Sequence, residues 1–189
     1  MEGNFKLFIS INIKPSIKYD YVIKEIKNTM NHNISISTSL YDNSYHISLI
    51  KSAKYLKHLE IGQFIKAMTT NMKNIKKFNI AISNEIIYLN NDNNTKRFYC
   101  LKIIKNKQIS NLLMLINKTL KQFDIYEIDY NEFIPHLSLF SLSVNETNLL
   151  DIDDLNYKVN QNKFEVIKVI KVKYITVNIG DKTYPIYLD

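Results

Sequence analysis

The chain has 189 residues, 46% of them hydrophobic and 12% aromatic, with a formal net charge of +7. That length and composition exclude a disordered chain and predict one globular domain over residues 1–189, while the basic balance favours an anionic partner such as nucleic acid. The single cysteine, Cys100, excludes an intramolecular disulfide and a cysteine-based zinc site; the first residues lack a signal peptide's apolar run, and no stretch reaches the roughly 18 apolar residues of a membrane span, which predicts a soluble, intracellular protein.

Phe5 to Ile13 is β-branched and aromatic and predicts a strand closed by Pro15. Tyr19, Val22, Ile23, Ile26 and Met30 recur at helical spacing and predict a helix over 18–30. A short apolar strand over 44–50 contains His46-Ile47-Ser48. Apolar residues from Tyr55 to Met72 predict a helix over 52–72, with Gly62 a mild weakness inside it. Phe78 to Leu89 reads as a strand ending in the turn 90–94, and Phe98 to Ile104 as another. Ile109, Leu112, Leu113, Ile116, Leu120 and Phe123 predict a helix, and 133–142 a strand holding His136-Leu137-Ser138. A polar stretch over 145–162 reads as loop with a short helix. Phe164 to Ile179 reads as one strand, and Gly180-Asp181-Lys182 as a hairpin turn into a last strand, 184–188.

The two His-x-Ser tripeptides use two of the four histidines in the chain. In an extended strand each His and its Ser share a face, while Ile47, Leu49, Leu137 and Leu139 point the other way, into the core. Their offset of 90 residues also relates Phe8 to Phe98, Ile11 to Leu101 and Ile13 to Ile103, so strand, helix and His-x-Ser strand occur twice in the same order. Two related lobes facing one another would bring both His-Ser pairs into one cleft.

The chemistry of such a cleft follows from the residue types. One neutral histidine can take the proton of a ribose 2′-OH and a second, protonated, can give one to the departing 5′-oxygen. Ser48 and Ser138 can donate to the non-bridging oxygens, where charge builds. No metal or cofactor is required, and neither tripeptide has a carboxylate beside it on its strand face. A zinc site would want further ligands at regular spacing, which His32 and His58 do not supply. A serine hydrolase would want glycines around its nucleophile, and none flanks Ser48 or Ser138.

At these residues the chain resembles the two-histidine (2H) phosphoesterase superfamily, and within it the U6 small nuclear RNA phosphodiesterase family. The similarity extends to Gly3-Asn4-Phe5 before the first strand, Ile87-Tyr88 before Asn90-Asn91, Thr95-Lys96-Arg97-Phe98, Tyr130 six residues before His136, and the closing Gly180-Asp181-Lys182-Thr183-Tyr184. It implies an α+β fold, 2H-phosphoesterase-like, with two pseudo-symmetric lobes whose antiparallel sheets face a central cleft. It also implies a monomeric, nuclear, metal-independent 3′→5′ exoribonuclease without cofactors. Such an enzyme trims the uridine-rich tail of U6 RNA and leaves a 2′,3′-cyclic phosphate, which some members open to a 3′-phosphate. His46 and His136 would then be the proton-transfer pair, and Ser48 and Ser138 the phosphate binders. Tyr130 would stack on the terminal base, Asn91 would touch the base, and Ile134 would line the pocket. Ile47 and Leu137, the middle residues of the tripeptides, complete the expected substrate-binding set. Two other readings stand beside this one: a 2H relative that only hydrolyses 2′,3′-cyclic phosphates, and a non-catalytic RNA-binding module.

Overall fold

The computed structural model describes residues 3–14, 23, 37–38, 45–50, 54–91, 93–125, 133–145, 151–161 and 169–189. Alternation along the first strand, β1 (Asn4–Ile13), sets the architecture. Leu7, Ile9, Ile11 and Ile13 are buried on one face, and the even-numbered residues turn to the other. Around it are β2 (Ser37–Thr38), β3 (Tyr45–Ser48), β4 (Lys54–Lys57), helix α1 (Ile61–Met72), β5 (Phe78–Asn90), β6 (Lys96–Ile104) and α2 (Lys107–Lys121). The chain continues through β7 (His136–Ser143), α3 (Ile152–Gln161), β8 (Val169–Val172), β9 (Tyr174–Ile179) and β10 (Lys182–Tyr187).

All strand pairs are antiparallel, in the order β10-β9-β1-β3-β7-β6-β5-β8, with β4 added beside β1 and β2 beside β7. The predicted strands over 5–13, 44–50, 78–89, 98–104 and 133–142 are present with ends shifted by a few residues. The 90-residue offset is preserved in register: Ser10 faces Ser48, Ile11 faces Ile47 and Asn12 faces His46, as Cys100 faces Ser138, Leu101 faces Leu137 and Lys102 faces His136. The two halves join where Ile47 of β3 pairs with Leu137 of β7, so a pseudo-twofold axis passes between the tripeptides.

The core lies on the side covered by the helices. Phe64, Met68 and Met72 recur every fourth residue on α1 and are fully buried. The Asn106 side chain caps α2 by accepting from the Ile109 amide at 2.9 Å, and Ile109, Leu112, Leu113, Ile116 and Leu120 face the sheet. The Asn71 amide donates to the Thr119 hydroxyl at 2.8 Å, and Phe64 meets Phe123 edge-on, tying the helices together. A bulge interrupts β5 between Ile82 and Ile86, and there Asn156 of α3 accepts from the Ile86 N–H (2.7 Å) and donates to its C=O (3.1 Å).

Three expectations are corrected. Within the predicted helix 52–72, Lys54–Lys57 is a strand paired with Asn4–Leu7, His58–Glu60 is a single 3-10 turn, and the α-helix begins at Ile61 with Gly62 in its first turn. Tyr55 and Leu59 are exposed, and only Leu56 of that stretch is buried, so their helical spacing has no apolar surface to meet. Of the predicted strand 164–179, residues 169–179 are described, and they form two strands divided at Lys173: β8 pairs with β5 in one half and β9 with β1 in the other. One residue therefore links strands near opposite ends of the sheet, which requires the sheet to curl until those ends approach. The last strand runs Lys182–Tyr187 rather than 184–188. Of the helix expected over 18–30, only Ile23 is among the described residues, and it is helical and buried.

Candidate active site

The face away from the helices carries the two tripeptides. Because Ile47 is directly opposite Leu137, the antiparallel register sets His46 beside Ser138 and Ser48 beside His136. Together with the flanking strands this makes two rows across the sheet, Asn12–His46–Ser138–Cys100 and Ser10–Ser48–His136–Lys102. The histidines are diagonal neighbours, a relation that separates Cβ atoms by roughly 7–8 Å. Two imidazoles so placed, each with a hydroxyl beside it, can bracket one tetrahedral anion.

Different surroundings hold each ring. The ring of Phe8 lies edge-on to His46, with centroids 5.2 Å apart. His136 donates its Nδ1–H to the carbonyl oxygen of Ile134 at 2.8 Å, which leaves Nε2 as the nitrogen available for proton exchange. Burial holds both imidazoles below the usual histidine pKa, because a half-buried site disfavours the cation. The positive charge of His136 lowers His46 further, whereas the hydrogen bond to Ile134 partly restores His136.

Ser138 Oγ lies 3.6 Å from Cys100 Sγ. Burial pushes that thiol up to about 12, with the Ser138 contact opposing the rise. Lys102, beside His136, holds its ammonium 3.8 Å from Glu85. Sequence reasoning missed Ser10, Asn12, Cys100 and Lys102. The 90-residue offset contained the signal, since it relates Ser10 to Cys100 and Asn12 to Lys102, and the residues that ladder with a motif share its face.

The other expected residues fare differently. Ile47 and Leu137 have no exposed side-chain surface; both lie in the core on the opposite face, so neither side chain can touch a substrate, which corrects that expectation. Asn91 stands at the β5–β6 turn. Its Oδ1 accepts from the amides of Thr95 and Lys96 at 2.9 Å and its Nδ2 donates to Thr95 Oγ1 at 3.0 Å, so its amide group organises the β5–β6 turn. Ile134 is 40% exposed and presents its carbonyl to His136. Tyr130 lies outside the described residues.

Among the described residues no group of three or more His, Cys, Asp or Glu side chains could hold a metal ion, and no helix is long and apolar enough to cross a membrane. His58 lies against the Phe5 ring, apart from the tripeptides. A cavity of about 380 Å³ lies on the helical side, between the end of α1 and the start of α2, lined by residues such as Asn71, Lys77 and Gln108; it contains none of the site residues.

Comparison with known proteins bears on the fold. The chain is 27% identical over 177 residues to U6 snRNA phosphodiesterase 1 of Dictyostelium discoideum, covering 90% of this chain and 62% of that protein's length. Usb1 of Kluyveromyces marxianus, solved with uridine monophosphate, superposes with a TM-score of 0.64 at 11% identity, over 97% of this chain and 98% of the other. E. coli LigT in its apo form gives a TM-score of 0.56 at 11% identity, over 100% and 96%. The expected 2H-phosphoesterase-like fold is therefore the observed one. The model of the HVSL family, described as an uncharacterised conserved protein, matches residues 1–187, and the chain belongs to that family.

Proposed function

We propose that the protein is a metal-independent 3′→5′ exoribonuclease that trims the uridine-rich 3′ end of U6 RNA in the nucleus, acts as a monomer, and leaves a 2′,3′-cyclic phosphate. The observation that carries the reading is the pair of rows in which each motif histidine stands beside the serine of the other motif. Likeness to a U6 snRNA phosphodiesterase over 90% of this chain supports the substrate, and the net charge of +7 suits a polyanion.

In the proposed reaction a phosphodiester sits between the rings. A neutral imidazole takes the 2′-OH proton, the 2′-oxygen forms a bond to phosphorus, the bond from phosphorus to the 5′-oxygen breaks, and a protonated imidazole delivers its proton to that oxygen. Ser48 and Ser138 donate to the non-bridging oxygens as their charge rises. Burial opposes the cation at both rings; the charge of His136 adds to that at His46, whereas the Ile134 carbonyl works against burial at His136. His46 is accordingly the base and His136 the acid.

The test is incubation of the protein with a uridine-tailed RNA in EDTA, followed by identification of the new 3′ end. Shortened RNA ending in a cyclic phosphate is expected, and a 2′-methoxy group at the terminal linkage should abolish cleavage. Cleavage that survives the methoxy group overturns the cyclising step. Hydrolysis of 2′,3′-cyclic nucleotides without shortening of the RNA would favour the cyclic-phosphodiesterase reading, and binding without turnover the RNA-binding module.

A further inference from the structure

The row through His46 does not end at Asn12. β9 pairs with β1 with Phe8 opposite Asn178 and Ser10 opposite Thr176; carried to the start of β9, that register sets Tyr174 beyond Asn12. Tyr174 in turn faces Tyr187 of β10. Ile175, Val177 and Ile179 are buried on the helical side, as is Ile186; on the other face Thr176 is buried, while Tyr174 is 36% and Tyr187 70% exposed. The two rings contact each other at 5.7 Å between centroids, tilted by 53°. Two phenols are thus held on the tripeptide-bearing face of the sheet, in line with the base of the proposed proton-transfer pair.

The spacing decides which part of a substrate they could meet. Adjacent strands lie about 4.8 Å apart, so Tyr174, two strands from His46, is displaced by roughly 10 Å, and Tyr187 by roughly 14 Å. That is too far for the ribose whose 2′-OH reacts, and within reach of the nucleotides preceding it. Lys14, after β1, and Lys173, before β9, are both exposed at the same end of these paired strands, where a phosphate backbone could pass. Aromatic rings with neighbouring cations suit single-stranded RNA, because every base has a face on which to stack.

The geometry points to Tyr174 and Tyr187 as a stacking platform for the bases of the RNA chain retained after cleavage, upstream of the nucleotide whose 2′-OH attacks. The inference rests on the proposed exoribonuclease reading and on His46 as base, which puts the retained chain on that side of the cleft. Its functional content is length preference: an oligoribonucleotide should be a better substrate than a dinucleotide because it alone reaches the platform.

Its test compares wild type with Tyr174→Ala, Tyr187→Ala and Tyr187→Phe on a uridine octanucleotide and on the dinucleotide UpU. The readouts are kcat/KM for both and the Kd of a fully 2′-methoxy octamer that cannot be cut. In wild type the octamer should be favoured. Each alanine variant should reduce the octamer-to-dinucleotide ratio, and weaken binding of the methoxy octamer, by roughly 5- to 150-fold, the range for losing one stacked base; Tyr187→Phe should retain both. Equal losses on the two substrates, unchanged ratios in both alanine variants, or a wild type without length preference would overturn the platform while leaving the exoribonuclease reading in place. A wild type that neither cuts the octamer nor binds its methoxy form would overturn both.

Discussion

Cys100 occupies in the second half the place Ser10 holds in the first, and its sulfur lies against the hydroxyl of Ser138. Its side chain is fully buried, and the thiol is pushed up to about 12. At pH 8 a thiol of that pKa is ionised to about one part in 10⁴, whereas an unfolded cysteine near 8.5 is about one quarter thiolate. Since only the thiolate reacts, native Cys100 should be alkylated at least about 10³-fold more slowly than the unfolded chain, before burial slows it further. Iodoacetamide labelling at pH 8, followed by intact mass with and without denaturing urea, measures the ratio directly. Native labelling should follow the opening of the fold and rise with urea. Labelling of the native protein within tenfold of the unfolded rate would show that the thiol is accessible and ionised, and the account of β6 beside Ser138 would fail. If the ratio holds, Cys100 is no nucleophile at working pH, and its contribution to the site is contact with Ser138.

A 5′-bridging sulfur in place of the leaving oxygen needs no proton to depart, so it should restore cleavage to His136→Ala and not to His46→Ala; rescue of His46→Ala instead would exchange the two roles. Both histidines titrate below 6.5 in the folded state, so between that value and their folded pKa the unfolded chain binds more protons, and stability falls as the pH is lowered. The slope from the pair cannot exceed about 2.7 kcal/mol per pH unit. Urea melts at pH 5.5 and 7.5 should show this loss in wild type and less of it in the double His→Asn variant, and an undiminished loss there would refute it. The Thr176 hydroxyl is buried without a hydrogen-bond partner among the described residues, so Thr176→Val should stabilise the protein by about 1 kcal/mol, a rise in Tm of about 2–4 °C; destabilisation by that amount would reveal a partner for the hydroxyl. Asn91→Ala should cost about 1–2 kcal/mol through the β5–β6 turn and leave the KM for RNA in place, whereas a raised KM at unchanged stability would return Asn91 to the substrate.

Both the frame of the site and its errors have local causes. Alternation in β1, β3 and β7 is written in adjacent residues, so strands, buried faces and the shared face of each His and Ser were legible from the sequence, and the 90-residue offset anticipated ladder pairs it could not specify. What failed depended on partners far along the chain. Leu56 is buried because it pairs with Phe5, some fifty residues earlier, and no window around Tyr55 and Leu59 contains that fact. Val169 to Ile179 reads as one β-branched run, and only the curl of the sheet sends its two parts to opposite halves. Asn91 looked available because asparagine favours both turns and ligands; its bonds to Thr95 and Lys96 assign it to the turn.

A symmetric frame poses a difficulty for the proposed reaction, which needs one histidine neutral and the other charged. The register makes the two sites equivalent: each histidine stands one residue from the axis and beside the other motif's serine. Equal sites would titrate together, and repulsion between two rings facing one phosphate would not say which proton leaves first. The neighbours break the tie. Where the first half has Asn12 beside His46, the second has Lys102 beside His136, its charge engaged with Glu85. Where the first half packs Phe8 edge-on against its imidazole, the second offers the carbonyl of Ile134, which accepts a proton-bearing nitrogen and gains from a cationic ring. Duplication would thus supply two interchangeable histidines, and divergence at residues adjoining each strand would assign one to hold a proton and the other to take one.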